Sequence, residues 1–136
     1  MDRFLGASTA LCFAVSSGRK MEHIRKHSID NAEHYVWGNG CDGWHFVNHP
    51  GLSIIRERMP PGTSEVRHLH KKARQFFYIL AGTAVLETGG SSHELHRGEG
   101  IEIPPGVPHQ IFNKSNEALE FLVVSQPHSH GDKVLA

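Results

Sequence analysis

From Ile29 onward the chain is a series of short apolar runs, each cut off by glycine, proline or asparagine. Leu52–Met59, 75–80, Thr83–Thr88, Gly100–Ile103, 110–112 and 119–125 are rich in β-branched and aromatic residues and read as strands. The breakers between them are Pro60-Pro61-Gly62, Ala81-Gly82, Gly89-Gly90, Pro104-Pro105-Gly106 and Lys114-Ser115-Asn116. Gly89-Gly90, between Val85-Leu86 and His93-Glu94-Leu95, reads as a hairpin turn. Helical periodicity is poor throughout, and no run approaches the roughly 20 apolar residues of a membrane span. Many short strands with regular turn signals predict an all-β sandwich or barrel. A small N-terminal element is expected from about Met21 to Asn31.

A chain of 136 residues is one domain long. Its 14 Lys and Arg balance its 14 Asp and Glu. Zero net charge argues against a nucleic-acid partner, which needs a clustered basic excess, and against an anionic membrane surface. Cys12 and Cys41 cannot form a disulfide framework. Residues 1–20 hold no histidine and include a mildly apolar stretch from Phe4 to Val15. They can be read as a weak secretion signal or as a short irregular extension upstream of Met21. Glycine and polar residues dilute the apolar stretch, and its start is not net positive, so the second reading is preferred. It gives an extension over 1–20, a domain over 21–136 and a cytoplasmic location.

The 12 histidines are the outlier. Imidazole is the commonest metal ligand and titrates near neutrality. His68-Leu69-His70 has i, i+2 spacing, so on a strand both rings face one side. Gln75 opens the next apolar run, and His109 follows a proline-rich turn at the head of another. A barrel could bring the three rings and the amide oxygen to one point. Each histidine alone would equally be read as a surface or core residue. The glycines and prolines around them carry further information.

Their spacing resembles the cupin superfamily. Gly62-TSEVR-His68-Leu-His70-KKAR-Gln75-FFYILA-Gly82 follows the first cupin motif, with Gln75 where glutamate is usual. Gly98-EGIEI-Pro104-Pro-Gly106-VP-His109-QIF-Asn113 follows the second at every position. The resemblance covers about Gly51 to Gln126. It implies a double-stranded β-helix, or jelly-roll barrel, and His68, His70, Gln75 and His109 as ligands of one divalent transition metal ion. Gly62 and Gly82 suit tight turns, Pro104 and Pro105 a strand boundary, and Asn113 a side-chain-closed turn.

Glutamine adds no charge, so a metal held by this set keeps its full +2. That favours zinc, nickel, iron or copper over manganese, and attracts anionic oxygens. Gln75 could instead hydrogen-bond a ligand or water. The set is also similar to that of small cupins that ketonise unsaturated uronates. The acidic, aromatic and basic residues of that group's C-terminal strand fall here on Val123, Ser125 and Ser129. The resemblance therefore supports the metal set and not that reaction.

Phe77 and Ile79 share strand parity with Gln75 and should line the pocket, with Phe76, Tyr78 and Leu80 facing away. Arg56 and Arg58 share one face of their strand, and if it is inward they could clamp a carboxylate. His128, in a second His-x-His with His130, could sit at the pocket mouth. Trp37, Trp44 and His45 lie in or beside a glycine-rich stretch that could be a capping loop or a packing surface. His93 and His96 should face solvent.

The sequence thus suggests a metal-dependent cupin that transforms a small oxygen-rich anion, such as a keto acid, sugar acid or enediol. Lewis-acid isomerase or lyase chemistry leads, and dioxygenase chemistry is its alternative with iron or nickel. A non-catalytic sugar- or effector-binding module is the second reading, and a metal-independent sugar-nucleotide epimerase the third. Open strand edges, and the habit of small cupins, suggest a homodimer.

Overall fold

The computed structural model describes residues 23–136. Eleven strands are present: β1 Glu33–Trp37, β2 Cys41–His49, β3 Leu52–Met59, β4 His68–His70, β5 Arg74–Ala81, β6 Thr83–Thr88, β7 Ser92–His96, β8 Gly100–Ile103, β9 His109–Phe112, β10 Leu119–Gln126 and β11 Lys133–Leu135. They form two antiparallel sheets, ordered β1-β2-β3-β10-β5-β8 and β11-β4-β9-β6-β7. This is the expected double-stranded β-helix. No helix among the described residues is long and apolar enough to cross a membrane.

The strands expected at 52–59, 83–88 and 100–103 are found at those bounds, and the other three grow by one or two residues. The Gly89-Gly90 hairpin joins β6 to β7, with Thr88 N–H donating to the Ser91 carbonyl at 2.9 Å. Two expectations need correction. Residues 23–31 hold a turn at Ser28–Asn31 but no regular element, and residues 1–22 lie outside the described part. The stretch from Trp37 to Gly43 is not a long loop: β1 and β2 pair across it, with Trp37 opposite Cys41 and Trp44 opposite His34. Isolated tryptophan, tyrosine and glycine in a polar setting gave no clear alternation to read as strands.

Inward positions grade from apolar to polar along the strands. On β5 the inward row is Ile79, Phe77, Gln75, and on β10 Leu119, Phe121, Val123, Ser125. Antiparallel pairing sets Phe121 opposite Ile79 and Ser125 opposite Gln75, so the gradients coincide. The apolar end, with Met59, Leu86, Ile111, Leu119 and Phe121, is the core. Burying such side chains contributes about 1.5–3 kcal/mol each. The polar end holds the site.

Turns hold this frame. Asn113 is buried, and its amide nitrogen donates to the carbonyls of Met59 (2.9 Å) and Glu117 (2.7 Å) while its oxygen accepts from Ser115. Asp132 accepts from the N–H groups of Lys72 and Ala73, pinning the C-terminal segment to the β4–β5 turn. Gly82 has φ +82°, and a Cβ there would lie 2.5 Å from the Ala118 carbonyl oxygen. Both strain and collision forbid a side chain, so Gly82→Ala is expected to lose about 2 kcal/mol of stability in chemical denaturation. A loss under about 0.5 kcal/mol would show that this turn is not rigid.

Candidate metal centre

Strand register builds the centre. His68 on β4 pairs directly with His109 on β9, and their ring centroids lie 4.5 Å apart. His70 follows two residues on, 4.9 Å from His68 between centroids. All three rings are buried, and one ligating atom from each can be chosen so that all lie within 4.8 Å of one another. Gln75 enters from the other sheet, so the site joins the two layers. Its amide nitrogen donates to Ser125 Oγ at 3.0 Å, and its Oε1 faces His109 Nε2 at 3.1 Å.

The hydrogen bonds define which nitrogens are free. His68 Nδ1 lies 2.9 Å from the Val66 carbonyl, and His109 Nδ1 2.9 Å from the Val107 carbonyl. A carbonyl accepts, so His68 Nδ1 carries hydrogen and its Nε2 presents a lone pair, whereas the neutral His109 ring faces a carbonyl acceptor at each nitrogen and can donate to only one. A backbone acceptor on the second ring nitrogen is the usual support of a ligating histidine. His70 Nδ1 is buried with no partner among the described residues. At His109 the single hydrogen of a neutral ring leaves one of its two contacts, to Val107 or to Gln75, as acceptor against acceptor. A bound cation resolves both features, so these residues fit a metal ion.

Burial lowers the histidine pKa values, because desolvation penalises the charged ring, and the neighbouring imidazoles add to it. His68 and His70 fall to about 4, and His109 falls as well. The rings stay neutral, as ligation requires.

A chamber of about 270 Å³ opens on His68, His70 and Gln75. Phe77 lines it with His68, His70 and Gln75, as expected, and sits edge-on to His109 at 5.8 Å. Ile79 also points inward but packs in the core below. The arginine expectation is overturned. Arg56 turns outward to pair with Glu120 at 2.7 Å, and Arg58 is exposed. Their alternates Ser53, Ile55, Glu57 and Met59 face inward, and Ile55 and Glu57 line the chamber. His128 lies in an adjoining outer cavity of about 590 Å³ with Tyr35, His45 and His130, and His130 reaches both spaces. Trp37 packs against the core, Trp44 lies tilted against His34 with ring centroids 5.3 Å apart, and His96 pairs with Glu94 and Glu99 at the surface.

Tyr35, Glu57, Glu65 and Lys133 also line the chamber, and none was singled out from sequence. Glu57 was legible in one respect, since it alternates with the arginines. Tyr35 donates to Glu57 Oε2 at 3.0 Å. Glu65 Oε1 is buried without a hydrogen-bond partner among the described residues, 3.9 Å from His68 Nδ1. Burial pushes Glu57 up to about 7, with the Tyr35 bond and Lys133 opposing, and Glu65 up to about 8, with Glu57 adding to the rise.

A model of the family described as "Cupin domain" matches residues 55–125. An uncharacterized protein of Methanocaldococcus jannaschii is 33% identical over 116 residues, which cover 80% of this chain and 92% of that one. An oxalate-binding protein of Thermotoga maritima is 35% identical over 71 residues, covering 52% of this chain and 59% of that protein. Among solved structures, a conserved double-stranded β-helix protein of Klebsiella pneumoniae superposes with a TM-score of 0.70 at 22% identity, covering 84% of this chain and 98% of that one.

The depressed histidine pKa values set a pH dependence. The unfolded chain binds protons near 6.5 that folded His68 and His70 refuse until about 4. In metal-free protein this contribution is fully present above 6.5 and is lost as pH falls toward 4. Glu57 and Glu65 act in the opposite sense above 4.5. A variant with His68→Gln and His70→Gln keeps both carboxylates, so comparing it with the parent isolates the rings. Its Tm is expected to drop less than the parent's across that window, and an equal drop would remove the triad as the source.

Proposed function

The chain belongs to the cupin family, and from that premise we propose that His68, His70, Gln75 and His109 hold one divalent transition metal ion and that the protein transforms a small oxygen-rich anion there. The observation that carries the reading is the arrangement of free lone pairs. Two rings have Nδ1 committed to backbone carbonyls, His70 keeps an unpartnered nitrogen, and Gln75 presents its oxygen to His109. When bound, the metal supplies a Lewis acid for a carbonyl, carboxylate or enolate oxygen.

The chain's own residues do the rest. Ser125 Oγ accepts from the Gln75 amide nitrogen and anchors the side chain, with Oε1 toward His109. The ligand set is neutral, so a bound dication retains its charge and draws anionic oxygens. Phe77 and Ile55 exclude water from one wall, strengthening electrostatic interactions within. Carboxyl groups at Glu57 and Glu65 favour a catalytic role over a non-catalytic binding module, because they give the pocket groups that can exchange a proton with a bound anion. The similarity to an oxalate-binding protein supports small oxygen-rich anions as the ligand class. Zinc, nickel, iron and copper suit the donor set better than manganese. We also read the chain as a homodimer, since β1 and β8 leave free sheet edges.

Elemental analysis of untagged protein tests the reading. About one equivalent of a transition metal is expected, with affinity falling about 10–100-fold or more in His109→Ala. Gln75→Glu is expected to shift selectivity toward manganese, because a carboxylate is a harder, charged donor. No metal after reconstitution with zinc, nickel and iron salts would leave the binding-module reading in its place.

A further inference from the structure

We infer that Glu57, held by the Tyr35 hydroxyl across Gly43, is the group that moves a proton on a substrate bound in the inner chamber. The inference rests on the metal-held anion reading above and supplies the residue which that reading leaves open.

Three strands build the device. Tyr35 on β1 pairs with Gly43 on β2, and Gly43 pairs with Glu57 on β3. Directly opposed residues share a face of the sheet, so the row would ordinarily carry three adjacent side chains. Here the tyrosine ring lies over the glycine. A Cβ at Gly43 would fall 2.2 Å from Tyr35 Cζ and 2.5 Å from its hydroxyl oxygen. Gly43 does not have the positive φ of the turn glycines, so space and not backbone freedom is what it provides. A glycine inside a strand marks such a close approach, at some cost in strand stability. The gain is a hydroxyl delivered 3.0 Å from Glu57 Oε2. The carboxyl so held lines the chamber that His68, His70 and Gln75 also line.

The surroundings suit proton transfer. Glu57 is opposite Phe121, so it stands near the apolar floor. The charged or titratable groups facing it are Tyr35 from β1, Glu65 from the segment before β4, and Lys133 from β11. Burial keeps its carboxyl near 7, where both protonation states are populated at neutral pH. Glu65 is the other buried carboxyl, but it stands 3.9 Å from His68 Nδ1, on the side of the ring already bonded to Val66. That position suits orienting the ring.

The step balances without a co-reactant. The Glu57 carboxylate takes a proton from the carbon beside the carbonyl of a bound 2-oxo acid. The C–H electron pair becomes the new C=C bond, and the carbonyl π pair moves to oxygen, giving the enolate. Returning the proton regenerates the acid form or its tautomer and restores the Glu57 carboxylate.

The test uses the full chain loaded with Co²⁺ and 2-oxobutyrate as the probe. The visible Co²⁺ spectrum reports binding. Loss of the C3 proton signal in D₂O, by NMR on quenched samples, reports proton transfer. Wild type is expected to exchange faster than free Co²⁺ in buffer. Glu57→Gln should slow exchange about 100-fold or more with the same spectral response to the probe. Arg58→Gln, on the outer face, should exchange like wild type. In metal-free protein carrying ¹³C-labelled glutamate, Tyr35→Phe should raise the Glu57 titration midpoint, because the lost hydrogen bond favoured the carboxylate. Gly43→Ala should shift it in the same direction. Exchange unchanged in Glu57→Gln overturns the assignment. So does exchange lost in Glu65→Gln but kept in Glu57→Gln, or a wild type that binds the probe without exchanging it. A Co²⁺ spectrum that does not respond to the probe brings down the metal-held anion reading instead.

Discussion

The pairing of His68 with His109 is the contact on which the site depends. Two imidazoles in direct register, with a third two residues away, cannot be buried as cations. They must be neutral, and each nitrogen then needs a defined role. The backbone supplies it at two of them through carbonyls two residues earlier in the chain, Val66 and Val107. The free lone pairs that remain are turned toward one another and toward Gln75. Such a cluster is poorly satisfied as a structural feature and well satisfied around a cation.

The rest of the barrel serves that arrangement. Because Gln75 comes from the opposite sheet, the centre forms only if the two layers are held in a fixed relation. The core end provides this, with Ile79, Phe121, Leu119 and Met59 packed where the same strands meet. Asn113 ties the exit of β9 to the ends of β3 and the following turn, and Asp132 ties the C-terminal strand to the β4–β5 turn. These are long-range hydrogen bonds to backbone groups. Losing the Asn113 bond leaves buried polar atoms unpaired, which is more costly than the bond itself is stabilising.

The chamber sets two chemistries against each other. Neutral nitrogen and amide donors line it together with the carboxyl groups of Glu57 and Glu65. The first are metal-ligand types, and the second can exchange protons. Gly43 gives up a side chain where a strand interior ordinarily favours a larger residue, and so admits the Tyr35 ring beside Glu57.

Much of this was legible in the sequence. The breakers and apolar runs determined an all-β fold, because strand length and turn chemistry are local properties. The i, i+2 spacing put His68 and His70 on one face, and the parity of Gln75 and Phe77 placed them together, because strands alternate strictly. The glycine and proline pattern related His109 to them. Other features were beyond sequence reach. Periodicity grouped Arg56 with Arg58 but could not say whether that face or the Glu57 face turned inward, since β3 is short and polar at both parities. The pairing of Tyr35 with Gly43 and Glu57 joins residues on three strands, and only the tertiary structure decides strand order and register. The same holds for Lys133, which reaches the chamber because Asp132 anchors its strand beside β4. Local composition determined what each strand would be. Long-range pairing decided which side chains would face one another, and the chemistry of the site follows from that.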